Sequence, residues 1–316
     1  MMHTEDDSAP VTPQAKAAVA SMTTIDEDDA YGVITGCFEY IDALTKFRAA
    51  DIAIDPQSVL GKADSSMPPY LASHHAQRAI MGATDHLFTL ASAMDTRSGG
   101  NQTTYGPFTL VRGALESIGQ GMYVLGRTRQ REMLYRTLRL EASDDGFAKQ
   151  FGTYINSEKR AEGRTKGIKA STLRHGFSWS DIKRPLGFKD VITTGGGDYG
   201  FVDNMLIFWM LTSGVAHNKP WAVVSLTDRV EIPGTRDSIG ATYTLTSNTT
   251  YIAAALQTAC IATDMLINSY ANKSQRRPDP KRLLLYQAII KMMRYCDRHR
   301  RPLEERLAKM ESAPNP

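Results

Sequence analysis

Apolar residues recur at every third or fourth position over most of this chain, and that spacing most restricts its fold. Residues three and four apart share one face of an α-helix, so each such stretch predicts a helix with one apolar face. The stretches with this spacing are residues 26–50, 70–96, 107–126, 128–162, 248–272 and 280–311. Single helices of this length are stable only when their apolar faces pack together. The sequence therefore predicts an all-α fold, a bundle of about seven helices.

The segment FVDNMLIFWMLTSGVA, residues 201–216, is apolar nearly all round and predicts a central, buried helix that Pro220 stops. The two stretches that follow it, WAVVSLTDRVEI and ATYTLTS, flank the turn-like PGTRDSIG. They predict a small β-hairpin inserted near residues 221–246. Residues 163–200 are less regular, and their glycine-rich end, TTGGGDYG (193–200), predicts a flexible connector.

Charge is distributed unevenly, although the net charge is only +3. Residues 1–29 contain seven acids and one lysine, whereas residues 271–309 contain twelve Lys or Arg and four acids. A polar, acidic stretch without apolar spacing is typical of a disordered segment. We therefore predict a disordered acidic N-terminal tail (1–25), a helical bundle domain that contains the hairpin (26–272), and a basic C-terminal helix and tail (273–316).

The sequence also disfavours several kinds of protein. No uninterrupted apolar run approaches the roughly 20 residues that span a bilayer, and the acidic start lacks an apolar signal sequence. Cys37, Cys260 and Cys296 lie far apart, which is typical of reduced thiols in a cytoplasm and unlike metal ligands. The helical zinc motif His-Glu-x-x-His does not occur. We expect a cytoplasmic protein without membrane contact, metal or cofactor.

Histidines cluster on the helix predicted over residues 70–96. His74, Arg78 and Asp85 share one face, and His75 and His86 share another. A histidine beside a carboxylate can bind a metal or transfer protons. Neither face, however, carries two histidines four apart, which helical metal ligands usually require. The alternative, that these side chains hydrogen-bond inside a helix bundle, stays open.

A second group of candidate residues consists of Arg112, Glu116 and His217. Arg112 and Glu116 are four apart on a helix otherwise rich in Gly, Ala, Leu and Ile, so they can form a partly buried ion pair. His217 follows the most apolar helix, where it either caps the last carbonyl groups or lines a site that Trp221 helps to enclose.

The segments LVRGALESIGQGMYVLGR (110–127) and MLTSGVAHNKPW (210–221) together resemble HEPN-like helical proteins, a superfamily that includes RNA-cleaving toxins and phage-defence effectors. The resemblance implies a helical bundle over residues 26–272 and a site that acts on the RNA 2′-hydroxyl and the scissile phosphate. Active members carry Arg, four to six residues, then His. At those spacings before His217 this chain has methionine, leucine and threonine, not arginine.

The one literal match to that arginine–histidine pattern is Arg294–His299, in the basic C-terminal helix. About one or two such matches are expected by chance in a chain of this composition. The arginines of this region are better candidates for binding the phosphates of RNA or another polyanion. They are Arg294, Arg298, Arg300 and Arg301.

Two functions remain open at this point. The first is a non-catalytic helical interaction or scaffold protein, a degenerate HEPN-like protein whose polar core sets helix register and which forms a homo-oligomer. The alternative is an RNA-cleaving toxin or phage-defence effector, a metal-independent ribonuclease. In it His217 serves as acid or base, Arg112 stabilises the phosphate charge and Glu116 orients Arg112.

Overall fold

A computed structural model of the chain describes residues 27–47, 53–95, 103–126, 129–155, 158–274 and 281–293. Within these ranges the chain forms twelve helices and one antiparallel two-stranded hairpin, so the predicted all-α fold with a small hairpin is confirmed. The helices are α1 (Glu27–Lys46), α2 (Val59–Ser66), α3 (Ala72–Met94), α4 (Gly106–Leu125), α5 (Gln130–Tyr154), α6 (Glu158–Arg174), α7 (Trp179–Ile182), α8 (Phe188–Tyr199), α9 (Val202–Ala216), α10 (Pro220–Leu226), α11 (Thr249–Ser274) and α12 (Lys281–Met293). The strands are β1 (Thr227–Glu231) and β2 (Tyr243–Ser247).

Helix α4 lies at the centre of the bundle. It packs against α3, α8, α9 and α11, while α1 covers α11 and α12 packs on α1. The prediction that α9 would be the central helix is wrong, because only five of its fifteen residues are buried and Met210 is 47% exposed. Its apolar side chains are shared between the core and a half-exposed outer surface.

Small residues allow the central helices to approach closely. A Cβ atom on Gly121 of α4 would lie 2.7 Å from Leu266 of α11 and 2.9 Å from Ala79 of α3. The absence of a side chain at Gly121 is therefore what allows this close helix packing. Positions of this kind leave room for neighbouring helices to pack on nearly all sides of α4.

The predicted connector at residues 193–200 is instead the second half of helix α8. Gly195 and Gly196 are buried there, and a Cβ on Gly195 would lie 2.9 Å from the backbone nitrogen of Tyr123 in α4. These glycines serve close packing, not flexibility. Of the glycines in residues 193–200, Gly200 alone adopts a left-handed conformation (φ 69°), and it ends the helix.

The hairpin is shorter than predicted. Residues 220–226 form α10, because Pro220 suits the first turn of a helix and Ala222, Val223 and Leu226 are spaced to bury one helical face. Strand β1 then pairs with β2 from Thr227 opposite Ser247 to Glu231 opposite Tyr243. The stretch predicted as one helix over residues 128–162 is divided between α5 and α6.

Among the described helices, α11 is long and apolar enough by composition to cross a membrane. Buried side chains make up 78% of its most apolar stretch. It contacts α1, α4 and α3, so its apolar character is accounted for by its place in the core. The predicted acidic tail, residues 1–25, lies outside the described residues.

Candidate functional site

Helix α4 reaches solvent along one narrow strip. Between residues 111 and 126 every residue is buried except five. These five, which we call the α4 strip, are Arg112, Gly113, Glu116, Ser117 and Gln120. Their spacing keeps them on one side of the helix, in the gap between α3 and α9. The accessible face of the central helix therefore carries its polar side chains.

The three residues proposed as a site from sequence converge at one end of this strip. The Nε atom of Arg112 donates a hydrogen bond of 2.8 Å to Oε1 of Glu116. The Nη1 atom of Arg112 lies 3.3 Å from Nε2 of His217, which comes from the end of α9. The side chains of Arg112 and Glu116 are 24% and 18% exposed, so their ion pair is partly shielded from water.

Trp209, which was not among the residues expected from the sequence, completes this cluster. Its indole N–H donates a 3.0 Å hydrogen bond to the same Glu116 Oε1 atom that Arg112 contacts. The available signal was its position eight residues before His217, about two helical turns, which places both on one side of α9. Trp221, which was predicted to help enclose His217, packs its ring against the position of Gly214 and is 54% exposed.

The two interpretations of His217 are compatible. Its backbone N–H ends α9 by donating to the carbonyl of Ser213, and Asn218 follows with a positive φ of 51°. Its side chain is exposed and reaches Arg112, not the helix carbonyls. Because arginine can only donate, a hydrogen bond at this contact uses the Nε2 lone pair of a neutral imidazole. A neutral imidazole is the form that can accept a proton.

The other wall of the strip contributes a second histidine. A Cβ atom on Gly113 would lie 2.6 Å from the imidazole of His86 on α3, so the absence of a side chain at Gly113 makes room for this ring. His86 is partly exposed. It therefore borders the strip one residue away from Arg112.

A separate polar network, centred on Glu141 of α5, lies near the far end of the strip. His75 Nε2 is 2.7 Å from Glu141 Oε1, and Arg164 of α6 donates to Glu141 Oε2 at 2.9 Å. Arg164 also contacts Asp144. Burial alone raises the pKa of Glu141, but hydrogen bonds and charges from His75 and Arg164 outweigh it and lower this pKa to about 2. Glu141 therefore stays ionised throughout the neutral range.

The histidines of α3 were predicted either to bind a metal or transfer protons, or to hydrogen-bond inside the bundle. His75 is buried and hydrogen-bonded within the bundle, as the structural alternative predicted, yet it also borders a pocket. His74 is exposed. Among the residues that the structure describes, no three His, Cys, Asp or Glu side chains are grouped to hold a metal ion.

The predicted phosphate-binding arginines 294, 298, 300 and 301 lie outside the described residues. A second arginine cluster, on α5, is largely committed to packing. Arg136 is buried and bonded to Glu132, Asp198 and the carbonyl of Tyr123. Arg139 donates to backbone carbonyls near α7. The buried guanidinium of Arg136 is therefore already occupied by protein partners and is not available to bind a phosphate.

The fold and the site define an α-helical bundle whose central helix presents a polar strip in a gap between two neighbours. Comparisons with protein-family models, with curated proteins and with solved structures find no match. The HEPN-like resemblance therefore stays a prediction, and the geometry of the strip is the basis for assigning a function.

Proposed function

We propose that the chain is a ribonuclease whose reacting phosphodiester binds at Arg112, Glu116 and His217. One observation carries the proposal. An arginine, a carboxylate that orients it and an accessible imidazole meet at one point, although His217 is 105 residues from Arg112 in the sequence. This is the combination needed to hold a phosphate and move a proton beside it.

The positions suggest a division of roles. The Oε1 atom of Glu116 accepts hydrogen bonds from both Nε of Arg112 and the indole N–H of Trp209. These bonds fix the guanidinium of Arg112 and leave its Nη1 atom directed towards His217. A phosphate oxygen that binds Nη1 would replace the imidazole as its partner and free the Nε2 lone pair. His217 is then placed to accept a proton within reach of the bound phosphate.

In the proposed reaction, the 2′-oxygen of the RNA forms a bond to phosphorus while its proton passes to His217. The bond from phosphorus to the 5′-oxygen breaks, and the imidazolium returns the proton to that oxygen. The products are a 2′,3′-cyclic phosphate and a 5′-hydroxyl end. Arg112 stabilises the negative charge that grows on the phosphate oxygens during the step.

Incubation of the purified chain with labelled single-stranded RNA in the presence of a metal chelator tests this function. We expect cleavage to cyclic-phosphate ends, and a loss of about 100-fold or more in rate for His217→Ala. His74→Ala is the matched control, because His74 is an exposed histidine away from the cluster. Absence of cleavage by the native chain, or cleavage that survives His217→Ala, would refute the proposal.

A second candidate function, a non-catalytic interaction protein that forms a homo-oligomer, is favoured by a separate observation. Phe151, Tyr154 and Ile155 share one face at the end of α5 and are 62%, 78% and 54% exposed. Exposed apolar patches of this kind often mark protein–protein contacts. Light scattering of the native chain and of Phe151→Glu tests it: a native monomer, or an oligomer unchanged by the substitution, argues against this surface.

A further inference from the structure

A pocket of about 470 Å³ continues the α4 strip away from His217, between α3, α4, α5 and α8. Its volume falls in the range of about 300–1,000 Å³ that is usual for small-molecule sites. The side chains that it offers to a ligand are those of Arg78, Ser117, Gln120, Ser143, Phe147 and Phe188. Arg112, Glu116 and Gln120 are successive four-residue steps along one side of α4, so the pocket and the Arg112 cluster lie along one line.

The polar side chains of this pocket have unused hydrogen-bonding capacity. Within the described part of the chain, Ser117, Gln120 and Ser143 make no side-chain hydrogen bond. The guanidinium of Arg78 is 66% exposed, and its Nη2 atom lies 3.3 Å from Nδ1 of His75 and 3.9 Å from Glu141. Its remaining N–H groups have no partner among the described residues. The pocket therefore offers a cation, an amide and two hydroxyls to a ligand.

Aromatic rings border the same pocket. Phe147 of α5 is 71% exposed and Phe188 at the start of α8 is 39% exposed. Exposed rings beside an arginine and hydrogen-bonding groups are what proteins use to stack the bases of single-stranded nucleic acids. An amide such as that of Gln120 can donate to and accept from the edge of a base.

We propose that this pocket holds one nucleotide of a single-stranded RNA, and the inference rests on the proposed function because the strand's reacting phosphodiester lies at Arg112 and His217. The base stacks on Phe147 and Phe188, and Gln120 and Ser143 bond its edge. Arg78 contacts a phosphate of the same strand. From Arg112 to Gln120 is eight residues, about 12 Å along α4, so the strand follows the α4 strip.

Fluorescence anisotropy with a labelled single-stranded RNA tests the pocket. The parent protein is His217→Ala, so that cleavage does not alter the probe. We expect Phe147→Ala to weaken binding roughly tenfold, the usual effect of losing one base–aromatic contact. Phe88→Ala is the matched control: this phenylalanine of α3 is 51% exposed and does not line the pocket.

The proposal is overturned if Phe147→Ala binds as tightly as its parent, if Phe88→Ala loses as much affinity, or if the parent binds no RNA. Binding of adenosine monophosphate without binding of the RNA strand also overturns it. Binding that depends on Phe147, together with no cleavage by the native chain, leaves the pocket standing and refutes only the ribonuclease. Circular dichroism of each variant establishes that it is folded.

Discussion

Replacing Glu141 with glutamine removes the charge on which the network of α3, α5 and α6 depends. The carboxylate accepts from His75 and Arg164, its side chain is 11% exposed, and its pKa falls from 4.5 to about 2. A depressed carboxyl pKa stabilises the folded state above the unfolded pKa and loses that effect as the pH falls through the folded value. A shift of this size corresponds to about 3 kcal/mol of stability at neutral pH.

We therefore expect Glu141→Gln to lower the free energy of unfolding by about 3 kcal/mol above pH 5, and by only about 1.5 kcal/mol at pH 3. Urea denaturation followed by circular dichroism at several pH values measures this difference. Asp144→Asn is the control, since Asp144 also contacts Arg164 but is 67% exposed, which screens its contribution to well under 1 kcal/mol. If the loss in free energy of unfolding caused by Glu141→Gln were the same from pH 6 to about pH 3, the charge of Glu141 would not be its source.

Two further substitutions test the packing of the bundle. Gly121→Ala should cost about 1–3 kcal/mol, because its Cβ would approach Leu266 and Ala79 within 2.9 Å. Gly146→Ala, at an open position of α5, should be neutral or stabilising by up to about 1 kcal/mol, and equal thermal shifts of the two variants would contradict this account. Arg136→Ala should cost about 2 kcal/mol, because it leaves Asp198 and the carbonyl of Tyr123 without their donor. Arg174→Ala is the control, since Arg174 is exposed, and it should change the free energy of unfolding by less than about 0.5 kcal/mol. Chemical denaturation measures both variants, and equal losses for Arg136→Ala and Arg174→Ala would count against a role of Arg136 in packing.

Local spacing accounts for the part of the fold that sequence could predict. Most helices and the Arg112–Glu116 pair depend on residues three or four apart, and these appear nearly where they were expected. The glycine-rich end of α8 was mispredicted because glycine permits both a connector and close helix contact. The backbone of α4 lies directly beside Gly195, so here glycine serves close helix contact. That backbone is distant in the sequence, and local spacing could not show it.

The same distinction applies to the site. His217 could be singled out from its place after an apolar helix, but its contact with Arg112 spans 105 residues and depends on how α9 crosses α4. His75 could be paired with some carboxylate in principle, yet Glu141 is 66 residues away and was not among the candidates. A sequence therefore shows which polar residues lie on apolar helices. It does not show their partners, because these depend on how the helices pack.

Stability alone does not account for the composition of the α4 strip. A partly buried ion pair such as Arg112–Glu116 contributes little net stability, and apolar residues of similar size often do as well or better. Gly113 costs helix propensity, and Ser117 and Gln120 make no side-chain hydrogen bond to the described residues. The α4 strip is thus polar and accessible, although apolar side chains packed against α3 and α9 at these positions would stabilise the bundle more. Binding of a ligand along the strip would account for this loss of stability. The RNA experiments therefore substitute His217 and Phe147, which lie beside its two ends.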